Sequence, residues 1–288
     1  MRPLALMIIL AVTACSQAVD DSNASDRVIF ADDLPIQIEQ AWIASGFSEP
    51  EGVASDGSVI YISNVAGSAS DKDGEGWISR LSMQGDVLDE KWVDGLNAPK
   101  GMAVRDGKLF VSDHDAYHVI DITSAEIEHT YPVEGAGFLN DVTVWQNGVY
   151  MSDSGSARIF QIDENGYKEW LADDRLERVN GLTADGDRLL IATMETGSLY
   201  ESSGAQELTE LASGMANADG IGVLDNGAYI VSSWPGQLWY VNEAGETAEI
   251  LNSIEAPINQ NDLTRVGELI VVPNWDPGTV TAWRVSYD

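Results

Sequence analysis

A polar pair that recurs six times at nearly constant spacing constrains this chain more than any other feature. The pairs are Glu51-Gly52, Lys100-Gly101, Asn140-Asp141, Asn180-Gly181, Asp219-Gly220 and Asn261-Asp262, and their first members stand 49, 40, 40, 39 and 42 positions apart. Each pair opens a short apolar stretch. A Gly, Asn or Asp turn follows, as at Asp56-Gly57, Asp106-Gly107, Asn147-Gly148, Asp185-Gly186 and Asn226-Gly227, and such dipeptides close β-hairpins. The next run is strongly β-prone and ends in a small polar residue, as in Val59-Ile60-Tyr61-Ile62-Ser63, Val149-Tyr150-Met151-Ser152 and Leu269-Ile270-Val271-Val272. Third strands are expected at Trp77–Leu81, His118–Ile122, Ile159–Ile162, Leu199–Glu201, Leu238–Val241 and Val280–Val285, and fourth strands include Val87–Val93, Tyr167–Leu171 and Glu207–Leu211. Four strands in a period of about 40 residues predict an all-β six-bladed β-propeller with four antiparallel strands per blade. A solenoid usually shows shorter periods or helices.

The ends of the chain fit a closed ring. The sixth unit reaches Asp288 just after its third strand, so its outermost strand is missing. Ile36–Ile43 reads as a strand that precedes the first unit and has no unit of its own. Pairing the two is predicted to close the propeller, which then covers residues 36–288 and leaves no open seam. At 288 residues with 44% apolar content, the chain is long enough for one large all-β unit with a real core.

The first 35 residues follow other rules. Arg2 is followed by the apolar stretch Leu4–Val12, too short to cross a bilayer. Val12-Thr13-Ala14-Cys15 then resembles the lipobox of bacterial lipoproteins, and Cys15 is the one cysteine of the chain. The resemblance implies a signal peptide over 1–15 and lipidation of Cys15. Ser16 after the cysteine points to the outer membrane, facing the periplasm. Residues 16–35, rich in Ser, Asp and Asn, read as a flexible tether.

A propeller carries its innermost strands around a central channel, so residues at the start of those strands converge at one mouth. Glu51, Asn140, Asn180 and Asp219 are four such residues: two carboxylates and two amide oxygens, all hard donors, with a summed charge of −2. That set suits one divalent ion, calcium above all, which takes six to eight oxygens in irregular geometry. The plainer reading is that Asn and Asp stand here only as turn formers. With one cysteine and three histidines, His114, His118 and His129, zinc is not expected. The net charge of −32 repels nucleic acid and anionic membrane surfaces and draws cations in.

These residues, in this order, resemble the senescence-marker-protein/gluconolactonase/regucalcin family of calcium-dependent lactonases and, more distantly, diisopropyl-fluorophosphatase and paraoxonase. The resemblance covers about residues 45–288. It implies that Glu51, Asn140, Asn180 and Asp219 hold one catalytic Ca2+, and that the chain hydrolyses a lactone or related ester, with Asp219 guiding or deprotonating the water. The chain departs from the family pattern in having Glu51-Gly52-Val53-Ala54 where Pro and Trp often follow, and Val179 where Pro often precedes the Asn-Gly. Glu49 is a rival for the place of Glu51. Lys100, at the blade 2 position, is expected in an ion pair with a neighbouring carboxylate or on a substrate oxygen, and His114 as a rim acid or base or a purely structural residue. Trp234 and Trp275 are expected either as an aromatic wall for a ligand or as caps on their blades. The expected partners are a small-molecule substrate and the lipid anchor, with the protein a monomer. The alternative to a hydrolase is a binding propeller braced by a structural calcium.

Overall fold

In a computed structural model, residues 29–30, 34–205, 207–256 and 258–287 are described, and they build the predicted six-bladed β-propeller of four-stranded antiparallel blades. Blade 1 comprises Pro50–Ser55, Val59–Asn64, Gly76–Ser82 and Val87–Leu96; blade 2 Pro99–Arg105, Lys108–Asp113, Ala116–Asp121 and Glu126–Pro132; blade 3 Leu139–Trp145, Gly148–Asp153, Arg158–Asp163 and Gly166–Ala172. Blade 4 comprises Val179–Asp185, Arg188–Thr193, Ser198–Gly204 and Glu207–Ala212, and blade 5 Ala218–Val223, Tyr229–Ser233, Gln237–Val241 and Thr247–Asn252. Blade 6 takes Thr264–Val266, Leu269–Asn274 and Thr279–Tyr287 from the C-terminal end, and its outermost strand, Ile36–Ser45, from the other end of the described chain. Ile36 pairs with Tyr287 and Ser45 with Thr279, so the expected closure is present.

The second strands read as unbroken apolar runs because both of their faces are buried, as in the covered strands of other layered folds. Along Val59–Asn64, Ile60 and Ile62 pack toward blade 6 while Tyr61 packs toward blade 2. Along Gly148–Asp153, Val149 and Met151 face blade 2 and Tyr150 faces blade 4. The result is six apolar clusters, one in each cleft between neighbouring blades. Each fully buried Ile or Leu in them contributes roughly 1.5–3 kcal/mol.

Two local differences from the sequence expectation have simple causes. The blade 3 hairpin turns at Gln146-Asn147 rather than Asn147-Gly148: Gln146 takes the left-handed φ of 51°, and Gly148 pairs with Trp145 as the first residue of the next strand. Gly148 is needed there because a Cβ would meet the Tyr150 ring and the Gln161 amide. Within the segment expected as a tether, Ile29–Phe30 pairs with Leu251 and Asn252 and adds a fifth strand to blade 5. The lipobox and Cys15 lie outside the described residues. Among the described residues no helix is long and apolar enough to cross a membrane.

Candidate metal centre

The polar pairs occupy one structural position. In blades 1 to 5 the innermost strand starts with a regular pair, Pro50 to Asn64, Pro99 to Asp113, Leu139 to Asp153, Val179 to Thr193 and Ala218 to Ser233. It then slips register before Val53, Met102, Val142, Leu182 and Ile221. Glu51, Lys100, Asn140, Asn180 and Asp219 each sit in that bulge. In blade 6 the isolated bridge of Gln260 to Asn274 sets Asn261 at the matching place. Bulges turn a side chain out of the sheet's alternation, and here they turn it to the channel.

The glycine that follows is a matter of space. A Cβ on Gly52 would run into the Lys100 carbonyl, on Gly101 into the Asp141 backbone, on Gly181 into the Asp219 carbonyl, and on Gly220 into the Leu263 amide. The innermost strands of successive blades are that close. Blades 3 and 6 carry Asp at this place. Asp141 accepts from its neighbour's amide at Val142, 2.7 Å, and from Leu182 of blade 4, 2.6 Å, while Asp262 accepts from Leu263, 2.7 Å.

Serines of the second strands hold the bulges. Gly52, Asp141 and Gly220 donate their N–H groups to Ser63, Ser152 and Ser232 Oγ at 2.7, 2.9 and 2.8 Å. Ser152 Oγ also donates to the Asn180 carbonyl of the next blade at 2.7 Å, and Ser112 Oγ donates to the Asn140 carbonyl in the same way. Two of the candidate ligands are thus latched from the preceding blade.

Glu51, Asn140, Asn180 and Asp219 line one cavity of about 390 Å³ together with Lys100, Asn261, Trp234 and Trp275. All four are at least 94% buried. Asn140 donates its amide to Ser154 Oγ at 3.2 Å and Asn180 to Met194 Sδ at 3.3 Å. Their side-chain oxygens are left as free acceptors among the described contacts. Asp219 is 1% exposed, and neither of its carboxylate oxygens has a hydrogen-bond partner among the described residues. A buried carboxylate without partners is costly. Burial, then the charge of Asp141, pushes Asp219 up to about 8. Glu51 is held well above the usual carboxylate range by burial and by Asp219, against the pull of Lys100. Burial raises Asp141 to about 7 although the Leu182 and Val142 amides pull it down, and Asp262 is raised by burial and by Asp141, Asp219 and Glu51. Glu51 and Asp219 thus line the cavity with Lys100 and Arg178, while Asp141 and Asp262, outside its lining, are electrostatically coupled to them; a divalent cation would offset the repulsion among these carboxylates.

Among the described residues no three His, Cys, Asp or Glu side chains cluster as a metal site. The donor set is instead mixed, two carboxylates and two amides, which fits a hard cation such as calcium and not zinc.

The other sequence candidates divide. Glu49 is not part of the cavity; it takes a φ of 45° and its carboxylate accepts from its neighbour Ser48 Oγ at 2.6 Å. Lys100 lines the cavity, and of its two expected roles the ion pair is not formed among the described residues. Its Nζ donates to the Ala98 carbonyl at 2.9 Å and sits 4.5 Å from the Phe138 ring centre. The ends of the second strands are buried. Asp113 accepts from the Asn97 and Ala98 amides at 2.9 and 2.6 Å, and Asp153 accepts from Phe138 N at 2.7 Å, so both clamp the loop that enters their own blade. Trp234 and Trp275, one position beyond such ends, do reach the cavity. His114 is not in its lining; its ring lies 6.1 Å from that of Phe138. Sequence reasoning missed Phe138, Arg178 and Met194 as lining residues. It also gave Asp141 and Asp262 no role, although Asp in place of the repeated Gly was a visible departure.

A scan of protein-family models finds no match for the sequence, and a search of curated proteins finds no relative. Solved structures do match in fold. Virginiamycin B lyase from Staphylococcus aureus, a catalytically inactive variant with quinupristin, aligns with a TM-score of 0.61 at 15% identity, over 86% of this chain and 99% of that one. A gluconolactonase from Xanthomonas campestris aligns with a TM-score of 0.62 at 14% identity, over 90% and 98%. A chain of a nidogen/laminin complex aligns with a TM-score of 0.56 at 16% identity, over 72% and 86%. At these identities the likeness establishes the fold, and the three differ enough that function must be argued from the site.

Proposed function

We propose that this protein is a divalent-cation-dependent hydrolase of a lactone or related ester, exported and tethered through Cys15. The observation that carries the reading is Asp219: a buried carboxylate with no hydrogen-bond partner among the described residues, in one cavity with Glu51, Asn140 and Asn180. The order of these four residues along the chain supports it, as does a fold on which a gluconolactonase is found.

Glu51, Asn140, Asn180 and Asp219 are the residues that would hold calcium. Bound there, it would supply Lewis-acid polarisation of the substrate carbonyl and stabilise the charge that develops on its oxygen. The chain supplies the rest. Ser154 and Met194 fix the amide planes of Asn140 and Asn180, and Ser112 and Ser152 fix their backbones. Asp219 orients the attacking water and accepts its proton. The wall of Trp234 and Trp275 keeps bulk water from one side of the cavity. The outer-membrane, periplasm-facing location rests on the lipobox and Ser16 alone.

A panel of lactones, aryl esters and phosphotriesters, assayed with calcium and with chelator, tests the reading. Calcium-dependent turnover of at least one lactone or ester is the expected result. Tight calcium binding with no turnover on any of them would overturn it in favour of a binding propeller.

A further inference from the structure

The six bulge positions carry five oxygen donors and one ammonium. The exception is Lys100, 1% exposed, in a chain whose acidic residues outnumber the basic ones 47 to 15. A buried ammonium is costly unless its protons and charge are met. Lys100 has one described acceptor, the Ala98 carbonyl, and one aromatic face, Phe138. An ammonium has three protons to donate, so two lack a described acceptor on a side chain that lines the cavity. Glu51 and Asp219 are committed to the metal in the reading above, and their two charges match one divalent ion. Lys100 then remains as the cavity's buried ammonium, near Glu51 and Asp113 but hydrogen-bonded to neither among the described residues.

Beside Arg178 and Asn261, the remaining lining is apolar. Trp234 and Trp275 meet edge to face, 6.1 Å apart at 85°, and Phe138 and Met194 line the same cavity. Such a wall gains most from covering a flat apolar group. At the same cavity stands Arg178, whose guanidinium meets Met194 Sδ at 3.6 Å and Glu195 at 3.7 Å. Neither contact is close enough to hold it firmly.

We propose that the cavity selects a carboxylate-bearing ligand with a flat apolar body, its carboxylate docked on Lys100 Nζ and its ring against Trp234 and Trp275. The inference rests on the hydrolase reading for the bond that is broken, but selection of the acid is a matter of binding and needs no turnover. Arg178 draws the anion toward the mouth, and Lys100 receives it where water is scarce and a charge-assisted hydrogen bond is strongest.

Calorimetric titration of the calcium-loaded full chain with benzoate, phenylacetate and indole-3-acetate, each beside its neutral primary amide, decides the matter. At least one acid is expected to bind about tenfold or more tightly than its amide. Lys100→Met should abolish that preference, leave amide binding within about twofold and calcium binding no weaker, while Lys100→Arg keeps most of the preference. Equal affinity for acids and amides in the wild-type protein overturns the proposal, as does no binding of any acid at millimolar concentration. A folded Lys100→Met variant that still prefers the acid overturns it too. If that variant does not fold, the wild-type comparison still decides. Failure of the hydrolase reading would show as intact acid preference with no turnover; failure of this inference would show as lactone turnover with no acid preference.

Discussion

At Asp219 the protein keeps a buried carboxylate in the cavity lining with no hydrogen-bond partner among the described residues, and that arrangement separates two roles by substitution. Asp219→Asn keeps an oxygen but loses the charge and the basic site. At saturating calcium we expect turnover to fall by about 10²–10⁴-fold with part of the calcium affinity retained. Glu51→Gln should weaken calcium and activity together, and added calcium should restore the activity. Equal losses in the two variants, both restored by calcium, would assign Asp219 to metal binding alone. Asp113 offers a test by pH. Burial alone would raise its carboxyl, but the hydrogen bond from His118, the Asn97 and Ala98 amides and the charge of His118 outweigh burial and hold it below the usual range. A group depressed in the folded state adds stability that is full above its unfolded value, about 3.9, and is lost as pH falls through the folded value. Urea melts of Asp113→Asn against wild type should show a gap of about 1–3 kcal/mol near neutrality that narrows below about pH 4. A gap that is independent of pH would contradict this assignment.

Elements carry the site from blade to blade. The bulge of one blade is braced by a serine on its own second strand and, in two cases, by the serine of the blade before it. Ser152→Ala would leave the Asp141 amide and the Asn180 carbonyl without this partner. We expect a loss of about 1–3 kcal/mol in chemical denaturation, accompanied by weaker calcium binding; a stability loss with calcium affinity unchanged would show that the latch does not position the ligand. Ring closure belongs to the same scale. Ile36–Ser45 covers the last blade, and its Ile36 and Ala44 enter the clusters on either side of that blade. Deleting Ile36–Ile43 should lower the thermal midpoint by more than about 10 °C, since a bared seam exposes two buried faces as well as an unpaired edge. An unchanged midpoint would contradict closure.

The whole molecule should respond to calcium as one body, because the four proposed ligands belong to four blades of a closed ring. A ligand that binds the folded state alone stabilises by about 2.7 kcal/mol at one hundred times its dissociation constant. For a domain of this size that corresponds to a rise of roughly 5–10 °C in midpoint. Differential scanning calorimetry with calcium and with chelator should show this shift, and Asp219→Ala should remove it. A shift that survives in Asp219→Ala would place the ion elsewhere. Mass spectrometry of the mature N-terminus from a bacterial host should find an acylated Cys15; a free terminus beyond residue 15 would end the lipoprotein assignment.

Periodicity alone determined the fold: a repeated polar pair, hairpin turn and apolar run can satisfy their burial only by stacking on like units, and the spare strand at one end matches the missing strand at the other. The four candidate ligands were legible for the same reason, since one register position in every blade must face one channel. The second residue of each pair was visible only as a pattern. Its cause, the neighbouring blade's backbone pressed against Gly52, Gly101, Gly181 and Gly220, is a contact between units about 40 residues apart. Tertiary structure alone decided that Glu51 and not Glu49 enters the cavity, because a one-residue choice at a bulge depends on register. It also decided that Lys100 pairs with no carboxylate among the described residues, and that Asp113 and Asp153 clamp loops. Those outcomes turn on distances between side chains of different strands, which no spacing along one chain encodes.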